Sequence, residues 1–222
     1  MAVTTTLARV KRREDVKVYM ATAARNMDLI GYTEHGFRHA ELTAQTARKI
    51  LIDLGYTRRE AELAAIAGYL HDVGNAVNRE FHPQAAVMIA HQVLHDMGMS
   101  PEDLIEVLCG VANHDEEVGE PFGPIAAAVM IADKSDVSRD RVRNPEPTTF
   151  DEHDRINYAA ISSSLSVDAE EKVIRLELVI DPKFGSVMEY FELFLQRMVM
   201  SRRAAAVLGC RFSLVINGAK LI

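Results

Sequence analysis

From about Val16 to Arg141, apolar residues recur at helical spacing in six successive stretches. Each is punctuated by a glycine, a proline or a capping hydroxyl. Val16, Met20, Ala23, Ala24 and Met27 form the first stripe, stopped by Gly31. The second runs from Phe37 to Leu54, with Leu42, Ala47, Ile50, Leu51 and Leu54 inward and Gly55 as terminator. Thr57 opens the third, with Glu60 placed to close a capping box. Ala61, Ala64, Ala65, Gly68 and Tyr69 follow, and this helix ends at His71-Asp72-Val73-Gly74. The fourth runs from His82-Pro83 to Met97-Gly98, and the fifth from Ser100-Pro101 to near His114. Gly123-Pro124 opens a sixth, expected from Ile125 to about Arg141. Short connections between such stripes leave a helical bundle as the natural solution.

The pattern changes at Arg143–Thr149, a polar stretch with two prolines that reads as a linker. Beyond it come a short helix (151–159), β-like runs at 161–167 and 172–180 joined by Asp168-Ala169-Glu170-Glu171, an amphipathic helix (186–208) and a strand (210–217). Val187, Phe191, Phe194, Leu195 and Met198 are expected inward, and Tyr190, Phe191 and Phe194 read as core. The expected fold is mainly α. A helical domain spans 1–144, and a small α+β unit of β-β-α-β order spans 145–222. That unit would expose apolar edges alone, so it should pack on the helices or on a second chain, with a homodimer through it as one outcome.

At 222 residues the chain is long enough for a substantial core. A net charge of −7 argues against a general nucleic-acid-binding surface. Cys109 and Cys210 form neither a disulfide framework nor a metal-finger spacing, which suits a reducing, cytoplasmic setting. Arg9, Lys11, Arg12 and Arg13 precede no apolar signal region, and no apolar run approaches the roughly 18 residues a membrane span needs.

The chemistry-bearing residues are spread through the helical pattern. His39 lies within the second helix, His71 and Asp72 end the third, His82 starts the fourth and His114 ends the fifth. Asp133 follows the apolar octapeptide 125–132. Each histidine alone reads most simply as a surface or hydrogen-bonded core residue. Together, four imidazoles and two carboxylates are the donors a borderline divalent metal selects. A carboxylate beside that octapeptide is expected to be at least partly buried, and it then needs a partner or a metal.

His39, His71-Asp72, His82, His114 and Asp133, in that order, resemble the HD superfamily of metal-dependent phosphohydrolases over about residues 30–140. The stretches His82-Pro83-Gln84-Ala85-Ala86 and His114-Asp115-Glu116 are similar to those of its dinuclear branches. The resemblance implies an all-α core and one metal held by His39, His71, Asp72 and Asp133. It implies a second metal on His82 and His114, with Asp72 bridging as the central catalytic residue. One departure stands out. Asn75 occupies the position, three after Asp72, of this chain's His71-Asp72-Val73-Gly74-Asn75 run, in a neighbourhood where many relatives carry a lysine.

Such a set supplies about seven bonds where two octahedral ions offer about twelve, leaving room for water and substrate. One or two divalent transition metals (Fe, Mn, Zn, Co or Ni, with Mg as a labile ion) are expected. Their charge exceeds that of the two carboxylates, so the implied substrate is a small phosphorylated anion, and the implied reaction is hydrolysis by a metal-activated water. A mixed-valence di-iron oxygenase of the same superfamily and a non-catalytic, metal-stabilised regulatory or oligomerisation module are the rival readings. Lys134, Arg139, Arg141, Arg143 and Arg38 are candidate phosphate-binding cations, or else solvated helix-end charges. Asn75, Asn78, Arg79 and Glu80 are candidate pocket-lining residues, and Asp115, Glu116 and Glu117 candidates for tuning the site. His35, His91, His95 and His153 are expected to be structural or superficial.

Overall fold

The computed structural model describes residues 4–116 and 118–222. A one-turn helix α1 (Leu7–Val10) is followed by α2 (Glu14–Leu29), α3 (Phe37–Asp53), α4 (Arg58–Leu70), α5 (His82–Asp96), α6 (Pro101–Ala112) and α7 (Pro124–Lys134). The C-terminal part contains α8 (Glu152–Ala159), β1 (Ala160–Asp168), β2 (Val173–Ile180), α9 (Val187–Val207), β3 (Arg211–Ile216) and β4 (Ala219–Lys220). The fold is mainly α with a small sheet, so "all-α" describes only the helical part. Among the described residues no helix is long and apolar enough to cross a membrane.

The helix starts follow local chemistry. Thr57 Oγ1 accepts from Glu60 N–H while the Glu60 carboxylate accepts from Thr57 N–H, and Ser186 and Glu189 repeat this box at α9. Ser100 caps α6, with Pro101 in the first turn. α3 and α4 form an antiparallel hairpin in which His39 and His71 are nearly equidistant from the connecting turn, so both arrive at the same end. Gly68 permits close contact there. A Cβ on it would lie 3.1 Å from Thr43 O and Ala44 N.

Gly74 works the same way one turn later. The 3₁₀ turn Val73–Ala76 presses on the first turn of α5, and a Cβ on Gly74 would fall 1.9 Å from His82 O and 2.5 Å from Ala86 N. Only a residue without a side chain lets Asp72 and His82 come together. Gly74→Ala is therefore expected to destabilise the fold by at least about 1–3 kcal/mol, because backbone must move to admit the methyl. Denaturant unfolding measures this, and an unchanged midpoint would show that the turn yields freely.

α7 explains the apolar octapeptide. Every residue from Ile125 to Lys134 is buried, which suits a helix hydrophobic on all sides. It packs on α3, α4 and α6 on one side and on α9 on the other. It is shorter than the sequence suggests. Ser135 Oγ turns back to Ala132 O (2.7 Å), and Asp136 swings inward to ion-pair, so the chain leaves the helix before a separate 3₁₀ turn at Arg139–Arg141.

In the C-terminal unit β1 and β2 form an antiparallel hairpin, α9 crosses over to β3 parallel to β2, and β4 adds antiparallel to β3. β4 was not anticipated. Tyr190, Phe194 and Met198 of α9 are buried, with Val187 and Phe191 packed partly against the core, whereas Leu195 is exposed. Leu42 of α3 is exposed too. A single apolar cluster runs from α1 through the helices into β2, α9 and β3.

Candidate metal centre

The six expected residues meet in one buried pocket. His39, His71, Asp72, His82, His114 and Asp133 are all at least nine-tenths buried. They arrive from the start of α3, the end of α4, the turn after it, the start of α5, the residues after α6 and the end of α7.

The orientation of each ring is fixed from behind. His71 Nδ1 lies 2.8 Å from Gly68 O, His82 Nδ1 2.9 Å from Arg79 O and His114 Nδ1 2.7 Å from Val111 O. A carbonyl oxygen only accepts, so each Nδ1 carries the proton. His39 Nδ1 donates to Asp136 Oδ2 at 2.7 Å. All four Nε2 lone pairs consequently point inward. They face one another in pairs, with His39 Nε2 3.2 Å from His71 Nε2 and His82 Nε2 2.9 Å from His114 Nε2. Two acceptors at that distance repel unless a cation or proton lies between them.

Asp72 spans the two pairs. Its Oδ2 is 3.8 Å from His39 Nε2 and 3.4 Å from His71 Nε2, and its Oδ1 is 3.5 Å from His82 Nε2 and 3.6 Å from His114 Nε2. Asp133 Oδ1 joins the first pair, 3.2 Å from His39 Nε2 and 3.8 Å from His71 Nε2. Ligand atoms about 2.1 Å from a shared ion stand roughly 3.0 Å apart at right angles and roughly 3.4 Å apart in a tetrahedron. The donor set therefore fits two ions: one on His39, His71, Asp72 and Asp133, the other on Asp72, His82 and His114. His39, His71 and Asp72 form one triad and Asp72, His82 and His114 another, the ligand atoms of each lying within 4.8 Å of one another.

The electrostatics agree. Burial works against a charged Asp72, yet His71 and His114 hold its carboxyl well below the usual range. Burial likewise opposes a charged Asp133, and Lys134 and His39 overcome it. Burial pushes His82 down to about 4, leaving the neutral imidazole a metal requires. His71 moves the other way, because Asp72 and Asp133 outweigh its burial. The carboxylates thus favour positive charge at the centre of the pocket.

Asp136, which the sequence reading passed over, sits behind His39. Burial opposes its charge, but His39, Arg141 and Arg38 hold its carboxyl far below the normal range. Arg38 Nη2 reaches Asp136 Oδ2 at 2.7 Å and Arg38 Nε reaches Glu34 Oε2 at 3.0 Å. Arg141 is buried and donates to Asp136 O and Glu34 O. Arg38 and Arg141 therefore brace the ligand's partner. Neither is a free phosphate-binding cation. Asp136→Ala is expected to weaken metal binding about 10–100-fold by releasing His39 from its tautomer and orientation. Competition with a chelating dye measures this; unchanged affinity would mean that packing alone orients the ring.

The remaining candidates separate clearly. Lys134 is buried, 2.8 Å from Asp133 Oδ2 and 3.3 Å from Glu116 Oε1. Arg139 is directed elsewhere: its Nε donates to Tyr158 O, and its guanidinium lies 4.4 Å from the centroid of the Tyr158 ring. The early end of α7 explains why it is not brought to this pocket. Arg143 lies near Glu34, 3.9 Å from its Oε1. Asn75 Nδ2 donates to Asp72 O and Oδ1, both at 3.0 Å, and so steadies the Asp72 carboxylate. Asn78 accepts from Glu80 N–H within the loop. Asp115 Oδ2 is 3.9 Å from His82 Nε2, and Glu117 lies outside the described residues. His91 and His95 stack on each other along α5. His35 is engaged at both nitrogens, by Thr33 O and Arg141 Nη2.

A pocket of about 390 Å³, lined by Tyr32, His35, Arg79, Glu116, His153 and Arg197 among others, adjoins this centre through Arg79, which reaches His82, and through Glu116, which meets Lys134 beside Asp133. Arg79 was among the sequence candidates, but Tyr32 and Arg197 were not. No spacing signal tied Arg197, in a helix far along the chain, to the metal residues.

Residues 36–138 match the family model of the HD domain, and the His/Asp clusters described above fit an HD-type metal site. The match supports a likeness to a superfamily of metal-dependent hydrolases. The chain is also similar to an uncharacterized protein of Methanocaldococcus jannaschii, 24% identical over 178 residues that cover 70% of this chain and 68% of that protein.

Proposed function

We propose that this protein is a dinuclear metal-dependent phosphohydrolase that cleaves a phosphate ester of a nucleotide or other small phosphorylated metabolite. The observation that carries this reading is the convergence of four inward Nε2 lone pairs on the two oxygens of Asp72. Divalent cations bound there would supply Lewis acidity to the phosphate and lower the pKa of a water between them. The chain's own residues do the rest. The backbone carbonyls and Asp136 hold the Nδ1 proton of each imidazole, which fixes the tautomer and turns Nε2 inward. Asn75 fixes the bridging carboxylate, and Lys134 balances the outer oxygen of Asp133. Three protein donors on the second ion leave coordination positions open, as a catalytic site requires.

The test pairs metal analysis of protein purified without chelator with a screen of phosphorylated metabolites. About two divalent ions per chain and metal-dependent phosphate release are expected. Iron with O₂ uptake and no phosphate release would replace this reading with the oxygenase. Full metal loading without either activity would leave a binding module.

A further inference from the structure

We propose that Arg197, brought in by α9, forms with Arg79 an anion clamp over the metal centre, so that the C-terminal unit completes the substrate pocket. This rests on the phosphohydrolase reading and adds which residues recognise the substrate. The two guanidinium groups line the same 390 Å³ pocket from different parts of the chain. Arg79 stands on the His82 side, its Nη1 3.4 Å from His82 Nε2 and 3.3 Å from Asn75 Oδ1, with its plane over Tyr32. Arg197 stands on the Asp133 side, through Glu116. Its Nε donates to Glu116 Oε1 at 2.6 Å, and Glu116 also meets Lys134, which meets Asp133.

Arg197 is built for this position. Its guanidinium rests against the Phe194 ring, 4.1 Å from the centroid, and one hydrogen bond to Glu116 sets its direction. Among the described residues no hydrogen bond engages its two Nη groups, the edge that suits a bidentate phosphate. The side chain is only 18% exposed, so an anion there would be largely desolvated. Asp151 and His153, also from the C-terminal unit, complete this wall. A chamber of this size lies at the lower end of small-molecule sites, roughly 300–1,000 Å³. It suits a phosphate ester of nucleoside-monophosphate size or smaller in preference to a polymer.

The test uses full-length, Mn²⁺-loaded protein and inorganic phosphate as the probe, titrated by calorimetry, with metal content measured in parallel. Arg197→Ala should weaken phosphate binding about 10–100-fold with metal content unchanged. Arg197→Lys should retain part of the affinity, since the charge remains and the fork is lost. Arg202→Ala removes the same charge from the same helix away from this pocket and should bind as the unaltered protein does. Wild-type affinity in Arg197→Ala, an equal loss in Arg202→Ala, or loss of metal from both Arg197 variants would overturn the clamp and leave the phosphohydrolase reading standing. Failure of the unaltered protein to bind phosphate would remove that reading, and the clamp with it.

Discussion

Asp72→Ala is expected to empty both halves of the metal centre at once and, with them, to abolish the proposed hydrolysis. Its two carboxylate oxygens face different histidine pairs, so one substitution takes a ligand from each ion. Removing a group that merely orients a ligand costs about 10–100-fold in metal affinity, and loss of a shared ligand should exceed the upper end of that range. The fold should survive, because Asn75 still bonds to the backbone carbonyl at residue 72. Elemental analysis with circular dichroism makes the measurement, and His91→Ala, on the outer face of α5, serves as a near-neutral control. Retention of one ion per chain in Asp72→Ala would show that the pairs bind independently and that the carboxylate does not bridge.

Truncation after Asn144 has the other large expected effect. It strips α9 from α7, a helix whose residues are buried from Ile125 to Lys134. Each large apolar side chain so exposed loses roughly 1.5–3 kcal/mol of burial, and a few of them equal the roughly 5–15 kcal/mol stability of a whole domain. The same helix delivers Asp133, and Glu116 loses Arg197. The fragment is therefore expected to be insoluble or unfolded and to bind no metal. A soluble fragment with two ions would show instead that the helices form a self-sufficient unit.

Much of this was legible in the sequence, for identifiable reasons. Ligands at helix ends are bounded by strong local signals, such as the Thr57–Glu60 box and Ser100-Pro101. Once α3 and α4 form a hairpin, His39 and His71 have little choice but to meet. The outer residues gave no comparable signal. Asp136 lies in Ser135-Asp136-Val137-Ser138, inside the helix expected to reach Arg141, and only the tertiary positions of His39 and Arg141 give its carboxylate a partner. Because α7 stops at Lys134, Arg139 belongs to a different turn from the one periodicity suggested. Arg38 looked like a free cation beside a ligand, yet neighbours on a helix point about 100° apart, and it faces Glu34 and Asp136. Leu42 and Leu195 matched an inward stripe and lie outward, since composition alone does not say which edge of an apolar face the neighbours reach.

The three imidazoles tied to backbone carbonyls share one geometry. His71, His82 and His114 each bond to the carbonyl three residues earlier. A main-chain oxygen is present whatever residue carries it, so no side-chain replacement at 68, 79 or 111 deletes those acceptors. The Nδ1 acceptor at these three corners can be displaced only by moving the backbone. His39 alone has its orientation written in a replaceable side chain, Asp136, itself held by Arg38 and Arg141. The orientation of His39, unlike that of the other three rings, can therefore be lost through a single side-chain replacement behind it.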